Sequence, residues 1–203
     1  SFNEDGSDGA LEFKTNHTFG NTYNLESRDS AWYKATRQLL NNNSKINVVI
    51  WCWENGVSNA KSTDIDTYLS LMTKLETDFP NVKFVYMTGH LDGTSTSDNL
   101  WLRNEQIRNY CKSNNKILFD FADIESYDPD GNFFGDKLAN DTCGYDSNND
   151  KIIDKNWATD WQSKHTKTYW YEYPPLVGMS VSVKCKTYAM WWMLARLAGW
   201  DGK

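Results

Sequence analysis

The chain has 203 residues, 39% of them hydrophobic and 15% aromatic, which suits one domain with a single core and excludes a disordered chain. Twenty-seven acidic against 21 basic residues give a net charge of −6, and with no Lys/Arg-rich stripe no nucleic-acid partner is expected. No apolar run approaches the ~20 residues of a spanning helix, so no membrane span is expected either.

In chain order, residues 1–10 carry Gly6 and Gly9 among polar neighbours and read as a loop. No signal-peptide pattern precedes them, and Ser1 reads as a mature or trimmed start. Residues 29–40 place Trp32, Tyr33, Thr36, Leu39 and Leu40 at helical spacing, with Asp29 or Ser30 as cap. Residues 46–53 form a nearly continuous β-prone apolar run, the pattern of a strand covered on both faces. Residues 64–78 set Tyr68, Leu71, Met72 and Leu75 on one helical face, and Pro80 follows as a stop. A second buried strand is expected at 82–88, a helix at 98–114 and a third strand at 116–121. This alternation is the βαβ signature of an α/β domain with a parallel sheet.

Residues 126–184 break the rhythm. They are rich in Asp, Asn, Gly and Tyr, show little periodicity and are too long for an ordinary connection, which marks a functional or ion-stabilised insertion. An apolar helix at 186–198, closed by Gly199, ends the chain. No repeat or linker appears, so residues 1–203 read as one domain.

Several candidate sites stand out. In an open parallel sheet, ligands sit outside the carboxyl ends of the strands. Those ends carry Glu54, Asn55 and Gly56, then Gly89, His90, Asp92 and Gly93, then Asp120, Asp123 and Glu125. Two oxygen-rich stretches suggest calcium: Asp128, Asp130 and Asn132 around a Gly turn, and Asp146, Asn148, Asp150 and Asp154 at alternating spacing. The second lacks Gly at its sixth position and an acid at its twelfth, so a standard EF-hand is excluded. Both stretches also read as solvated Asx-rich turns. Sequons at Asn16, Asn42 and Asn140 suggest a glycoprotein, hence an extracellular or cell-surface location. Ten Trp residues suit both core packing, expected for Trp51, Trp191 and Trp192, and the gripping of sugar rings or protein partners. Of the four cysteines, Cys52 and Cys111 fall at opposite sheet edges. Cys143 and Cys185 both fall at the top, so a Cys143–Cys185 disulfide with two free thiols is expected.

Four strings carry a resemblance: Tyr86-Met-Thr-Gly-His-Leu-Asp-Gly93, Leu102-Arg-Asn-Glu-Gln-Ile-Arg108, Phe119-Asp-Phe-Ala-Asp-Ile-Glu-Ser-Tyr-Asp-Pro-Asp-Gly-Asn132 and Trp191-Trp-Met-Leu-Ala-Arg-Leu-Ala-Gly-Trp200. Over roughly residues 46–202 the chain resembles uncharacterised extracellular members of the SGNH (GDSL-type) hydrolase superfamily. The resemblance implies a flavodoxin-like three-layer sandwich and hydrolysis of esters, often acetyl groups on carbohydrate, by Ser, Asp and His with an oxyanion hole. Carried over, the set is Ser1 near the nucleophile position, or a nucleophile upstream of it, Asn55 at the oxyanion hole, and His90 with Asp92. It is incomplete: residues 174–184 contain no His where the base is expected, and His165 comes about 20 residues too early. The resemblance also implies a central strand before residue 46, supplied by upstream residues or by a neighbouring copy.

Three functions remain open at this point. The first is a carbohydrate esterase. The second is a catalytically degenerate relative that binds glycan or self-associates at the cell surface, using Trp157, Trp161, Tyr169, Trp170, Tyr171 and Tyr173. The third is a glycosidase working through Glu54 and Glu125.

Overall fold

The structure is a computed structural model that describes residues 2–3, 11–12, 31–167, 170, 172, 174 and 176–203. Its elements are β1 (Phe2–Asn3), β2 (Leu11–Glu12), α1 (Ala31–Asn42), β3 (Val48–Ile50), α2 (Ser62–Asp78), β4 (Lys83–Met87) and α3 (Asn99–Ser113). There follow β5 (Ile117–Phe119), α4 (Phe121–Glu125), β6 (Gly144–Tyr145), β7 (Lys155–Asn156), α5 (Trp157–Lys164) and α6 (Ser180–Leu197). The expected α/β class is observed.

The main sheet runs β3-β4-β5, all parallel, with Ile50 beside Val85 and Met87 beside Phe119. The residue alternation of β4 sorts the two layers around it. Phe84 and Tyr86 face a core built with α1, α2 and α3, where Trp32, Ile65, Leu69, Met72 and Ile107 are buried. Val85 and Met87 face the opposite way, with Phe119, onto Met193 and its neighbours on α6. Parallel sheets need both faces covered because their strands are apolar on both sides, and this sequence supplies helices for each.

Strands β3, β4 and β5 are each shorter at both ends than their apolar runs. Among the described residues no strand pairs with the outer edge of β3; β1 pairs instead with β2, parallel, in a sheet of their own. The segment 126–184 is more regular than its composition suggests. It holds the antiparallel pair β6–β7 and the helix α5, whose first turn is capped by Asn156 accepting from the Thr159 N–H at 2.9 Å. Helix α6 starts six residues earlier than expected, at Ser180.

Two expectations about tryptophan are corrected. Trp191 and Trp192 are 42% and 56% exposed, because Ala189, Met190, Met193, Leu194 and Leu197 already fill the sheet-facing side of α6. Trp157, Trp161 and Trp170, the aromatic residues of the insertion named for the second of the three readings, are buried together with Cys143 and Val181 in a second cluster. Tyr169, Tyr171 and Tyr173 lie outside the described residues. Trp51 packs, partly buried, against the first core, as expected.

The expected Cys143–Cys185 bridge is not formed. None of the four cysteines forms a disulfide, although Cys143 and Cys185 belong to the same cluster. Cys185 lies in the second turn of α6 rather than at its start, and Cys143 sits at a positive φ of 67° in the turn before β6. Burial pushes the Cys143 thiol up to about 12, with Ser182 and Lys186 opposing, so the reactive thiolate is scarce there. Thiol titration of the denatured, unreduced protein is expected to find four free thiols; finding two would restore the bridge.

Candidate functional site

The loops that leave the carboxyl ends of β3, β4 and β5 converge, and they do so through Gly89. A Cβ there would stand 2.8 Å from the Val57 Cβ, so only glycine lets β4 leave the sheet under the turn Glu54–Asn59. The buried Asn104 side chain holds Gly89 on both sides, accepting from its N–H at 2.8 Å and donating to its carbonyl at 3.2 Å. His90 follows. Its Nδ1 lies 2.9 Å from the Leu91 carbonyl and 3.9 Å from the Asp141 carboxylate.

Beneath His90 lies a buried charge pair that the sequence analysis did not assemble. Glu125, at the end of α4, is 1% exposed. Its Oε2 accepts from the Leu91 N–H at 2.7 Å, and Oε1 stands 2.7 Å from the Lys186 ammonium, close in distance though not aligned as a hydrogen bond. Burial raises the Glu125 pKa, while Lys186, the Leu91 N–H and His90 oppose the rise. Lys186 in turn lies over the Phe121 ring at 4.7 Å. Glu125 therefore anchors α6 to the sheet edge, and a hydrolytic role for it is corrected: a side chain sealed by an ion pair cannot meet a sugar.

The neighbouring carboxylates are also occupied. Asp120 receives Arg108 in a two-pronged pair at 2.6 and 2.8 Å, caps α4 through the Asp123 N–H and accepts from Thr88. Asp92 accepts from Ser58 at 2.7 Å and from the Thr94 N–H at 3.1 Å. His90 and Asp92 thus leave the same strand end, as expected, yet Asp92 serves the loop and the carboxylate near His90 is Asp141. Asn55 is placed by its backbone in the turn after β3. Ser1 lies outside the described residues.

The two oxygen-rich stretches form turns that satisfy their own donors. Asp128 accepts from the N–H groups of Asp130 and Asn132 and from the Asn132 amide. Asp146 accepts from the N–H groups of Asn148, Asn149 and Lys151. Desolvation works to raise its pKa, but these backbone bonds outweigh it and hold the carboxyl below its ordinary value. Asp154 is likewise held low by bonds from the Ser147 N–H and hydroxyl, and Asn148 and Asp150 bond each other at 3.1 Å. Among the described residues no group of three His, Cys, Asp or Glu side chains converges on a metal position. Of the sequons, Asn42 is exposed at the end of α1. Asn140 instead uses its carbonyl oxygen on Thr142 and Gly144, and Asn16 lies outside the described residues.

Away from the strand ends, α6 presents a different surface. Tyr188, Trp191 and Trp192 stand at i, i+3 and i+4 and are 61%, 42% and 56% exposed, with Trp200 beyond them at 42%. Lys184 lies over the Tyr188 ring at 5.2 Å and Arg196 over the Trp192 ring at 5.6 Å. At the amino-terminal end of this stripe, Tyr188 and Lys184 border a cleft of about 470 Å³ between α5, α6 and the turn at 128–132. A larger depression of about 720 Å³ is lined by the Asp146 turn and by polar residues such as Asp98, Asp136 and Lys137.

The chain matches no family model, no curated protein sequence and no solved structure. Among the described residues no helix is long and apolar enough to cross a membrane.

Proposed function

We propose that this chain is a glycan-binding domain of SGNH-like architecture that works outside the cell and holds carbohydrate along α6. One observation carries the reading: the exposed Tyr188–Trp191–Trp192 stripe, which runs into a cleft on the same helix. Aromatic side chains left in water at helical spacing present flat apolar faces at little entropic cost, and sugar rings offer matching C–H faces. An apolar stripe that only packed the fold would be covered. The strand-end carboxylates favour the same reading by their occupation. Glu125, Asp120 and Asp92 are committed to Lys186, Arg108 and Ser58, which makes them supports for the loops.

A second reading, ester hydrolysis, draws on His90, whose Nδ1 is held 2.9 Å from the Leu91 carbonyl with the Asp141 carboxylate 3.9 Å away, since a His fixed through one ring nitrogen near a carboxylate suits a general base. One set of measurements separates the two. Affinity electrophoresis against soluble polysaccharides is expected to retard the wild-type chain. The double variant Tyr188→Ala, Trp192→Ala is expected to lose at least ten-fold in affinity, about 1.4 kcal/mol, with an unchanged melting curve. Release of acetate from acetylated polysaccharide that stops in His90→Ala would install the esterase instead. Loss of the monomer in light scattering, reversed by the double variant, would assign the stripe to self-association.

A further inference from the structure

We infer that the carboxyl-terminal end of α6 anchors the stripe's ligand: Arg196, between Trp192 and Trp200, takes an acidic group of a polysaccharide chain lying along the helix. This rests on the glycan-binding reading and names the ligand class for it. Gly199 ends α6 at a positive φ of 100°, which suits glycine, and the Trp200 N–H then donates back to the Ala195 carbonyl at 3.0 Å. The Trp200 indole is fixed in turn, its Nε1 donating to the Lys203 carbonyl at 2.8 Å. Arg196 lies over the Trp192 ring at 5.6 Å and donates through Nη1 to the Trp200 carbonyl at 3.0 Å. At Gly202 a Cβ would stand 3.1 Å from that Nη1, so the guanidinium passes close to the backbone there. Groups fastened in this way lose little freedom when a ligand arrives.

The charge at this place is open to a ligand. Among the described residues Arg196 touches the Trp192 ring and the Trp200 carbonyl, and no carboxylate comes within ion-pairing distance of it. Residues 180–203 hold a single acid, Asp201, against Lys184, Lys186, Arg196 and Lys203. Asp201 accepts from the Lys203 N–H at 3.0 Å, and Lys186 is taken by Glu125. In a chain of net charge −6 this is a local reversal of sign, and it lets an otherwise repelling protein hold a polyanion at one place. With Nη1 turned to Trp200, the Nε and Nη2 edge of the guanidinium is left to pair side by side with two oxygens of one acidic group.

The length of the surface calls for a chain. Tyr188 and Arg196 are eight residues apart on one helix, about 12 Å, and Trp200 lies beyond. The exposed rings therefore extend past any single sugar. An acidic monosaccharide meets Arg196 and one ring, and a neutral chain meets the rings but leaves the guanidinium unused. An acidic chain meets both.

Isothermal titration of the full chain with polygalacturonate, its full methyl ester, a sulfated galactan and monomeric galacturonate tests the assignment. At least one acidic polymer is expected to bind ten-fold tighter than both the methyl ester and the monomer, and the tighter of the two names the acidic group. Arg196→Gln is expected to bring acidic-polymer binding down to the level of the ester, with an unchanged melting curve. Arg196→Lys, which keeps the charge and loses the two-pronged edge, is expected to fall between, and Trp200→Ala to weaken binding several-fold. Lys151→Gln, which removes a charge from the 146–154 turn, is expected to change nothing; a loss equal to that of Arg196→Gln would mean general charge attraction and overturn the anchor. Equal affinity for polygalacturonate, its ester and the sulfated galactan, or unaltered binding in Arg196→Gln, overturns the anchor while leaving glycan binding in place. Absence of binding to these polymers and to the polysaccharides above overturns both, and binding to phosphatidylglycerol vesicles in their stead, lost in Arg196→Gln, would assign the stripe to a lipid surface.

Discussion

Replacing Lys186 with Met is expected to cost about 3–5 kcal/mol of folding stability at neutral pH, the range for removing one partner of a buried ion pair. The magnitude follows from burial. The two side chains are 16% and 2% exposed, so Glu125 would be left charged in an apolar setting beside Phe121, with the Leu91 N–H as its remaining donor. The pH dependence has a definite sign. The folded-state pKa of Glu125 is already raised, and loss of Lys186 raises it further, so the folded variant binds a proton more readily than the unfolded chain. The deficit is therefore largest above that raised pKa. It shrinks as pH falls and vanishes below the ordinary glutamate range of about 4.3, where both states are protonated. The paired change Glu125→Leu, Lys186→Met is expected to recover most of the loss, because well-packed apolar replacements of buried pairs are often neutral or better. Urea denaturation of the three variants at two pH values is the measurement. A loss below 1 kcal/mol in Lys186→Met at neutral pH would mean that α6 does not depend on this anchor.

That anchor illustrates what the sequence could and could not convey. The strands at 82–88 and 116–121 and the helices at 64–78 and 98–114 were legible because apolar residues recur there with clear period, and β4, β5, α2 and α3 follow those runs closely. Glu125 was visible as a carboxylate after the third strand, but its partner lies 61 residues later on a helix, and nothing local to Lys186 announces a contact at that distance. A lone Lys on the sheet-facing side of an apolar helix was the available signal.

Helix α5 escaped for a related reason. The helix is only eight residues long, with Trp157, Ala158 and Trp161 buried, too short a stretch for periodicity to register. The amino-terminal turns of α6 contain Ser-Val-Ser-Val, an alternation that reads as β-prone, and burial against Trp161 and Gln162 decides for helix there. Adjacent Trp191 and Trp192 lie about 100° apart around a helix. Tertiary packing gave the sheet-facing positions to Met193 and Leu197 and left both indoles outside.

A second large effect is expected on the other face of the sheet. Trp32→Ala should lower stability by about 3–5 kcal/mol, the usual cost of truncating a fully buried Trp. Trp32 is 1% exposed and sits at the centre of an aromatic group, with ring centroids 5.1 Å from Trp51, 5.4 Å from Trp53 and 6.1 Å from Tyr68. The edge-to-face contacts with Trp51 and Trp53 set the direction in which the chain leaves β3, and a polar relay reinforces it. Trp51 donates to the Thr36 hydroxyl at 3.1 Å, and that hydroxyl donates to the Trp32 carbonyl at 2.7 Å. Tyr68 joins the neighbouring strand, accepting from the Met87 N–H at 3.3 Å and donating to the Trp51 carbonyl at 3.4 Å. Emptying the Trp32 position therefore removes packing from α1, α2 and the end of β3 together. Trp32→Phe should lose markedly less, since a ring still fills most of the space. Denaturation followed by far-UV circular dichroism separates the outcomes: a midpoint shift at constant slope reports lost packing, whereas a Trp32→Ala loss under 1 kcal/mol would mean that α1 is not integral to this layer. The α6 stripe lies across the sheet from Trp32, so glycan retardation of the folded Trp32→Phe variant should match the wild type. A parallel loss of binding would place the recognition surface on the α1 side instead.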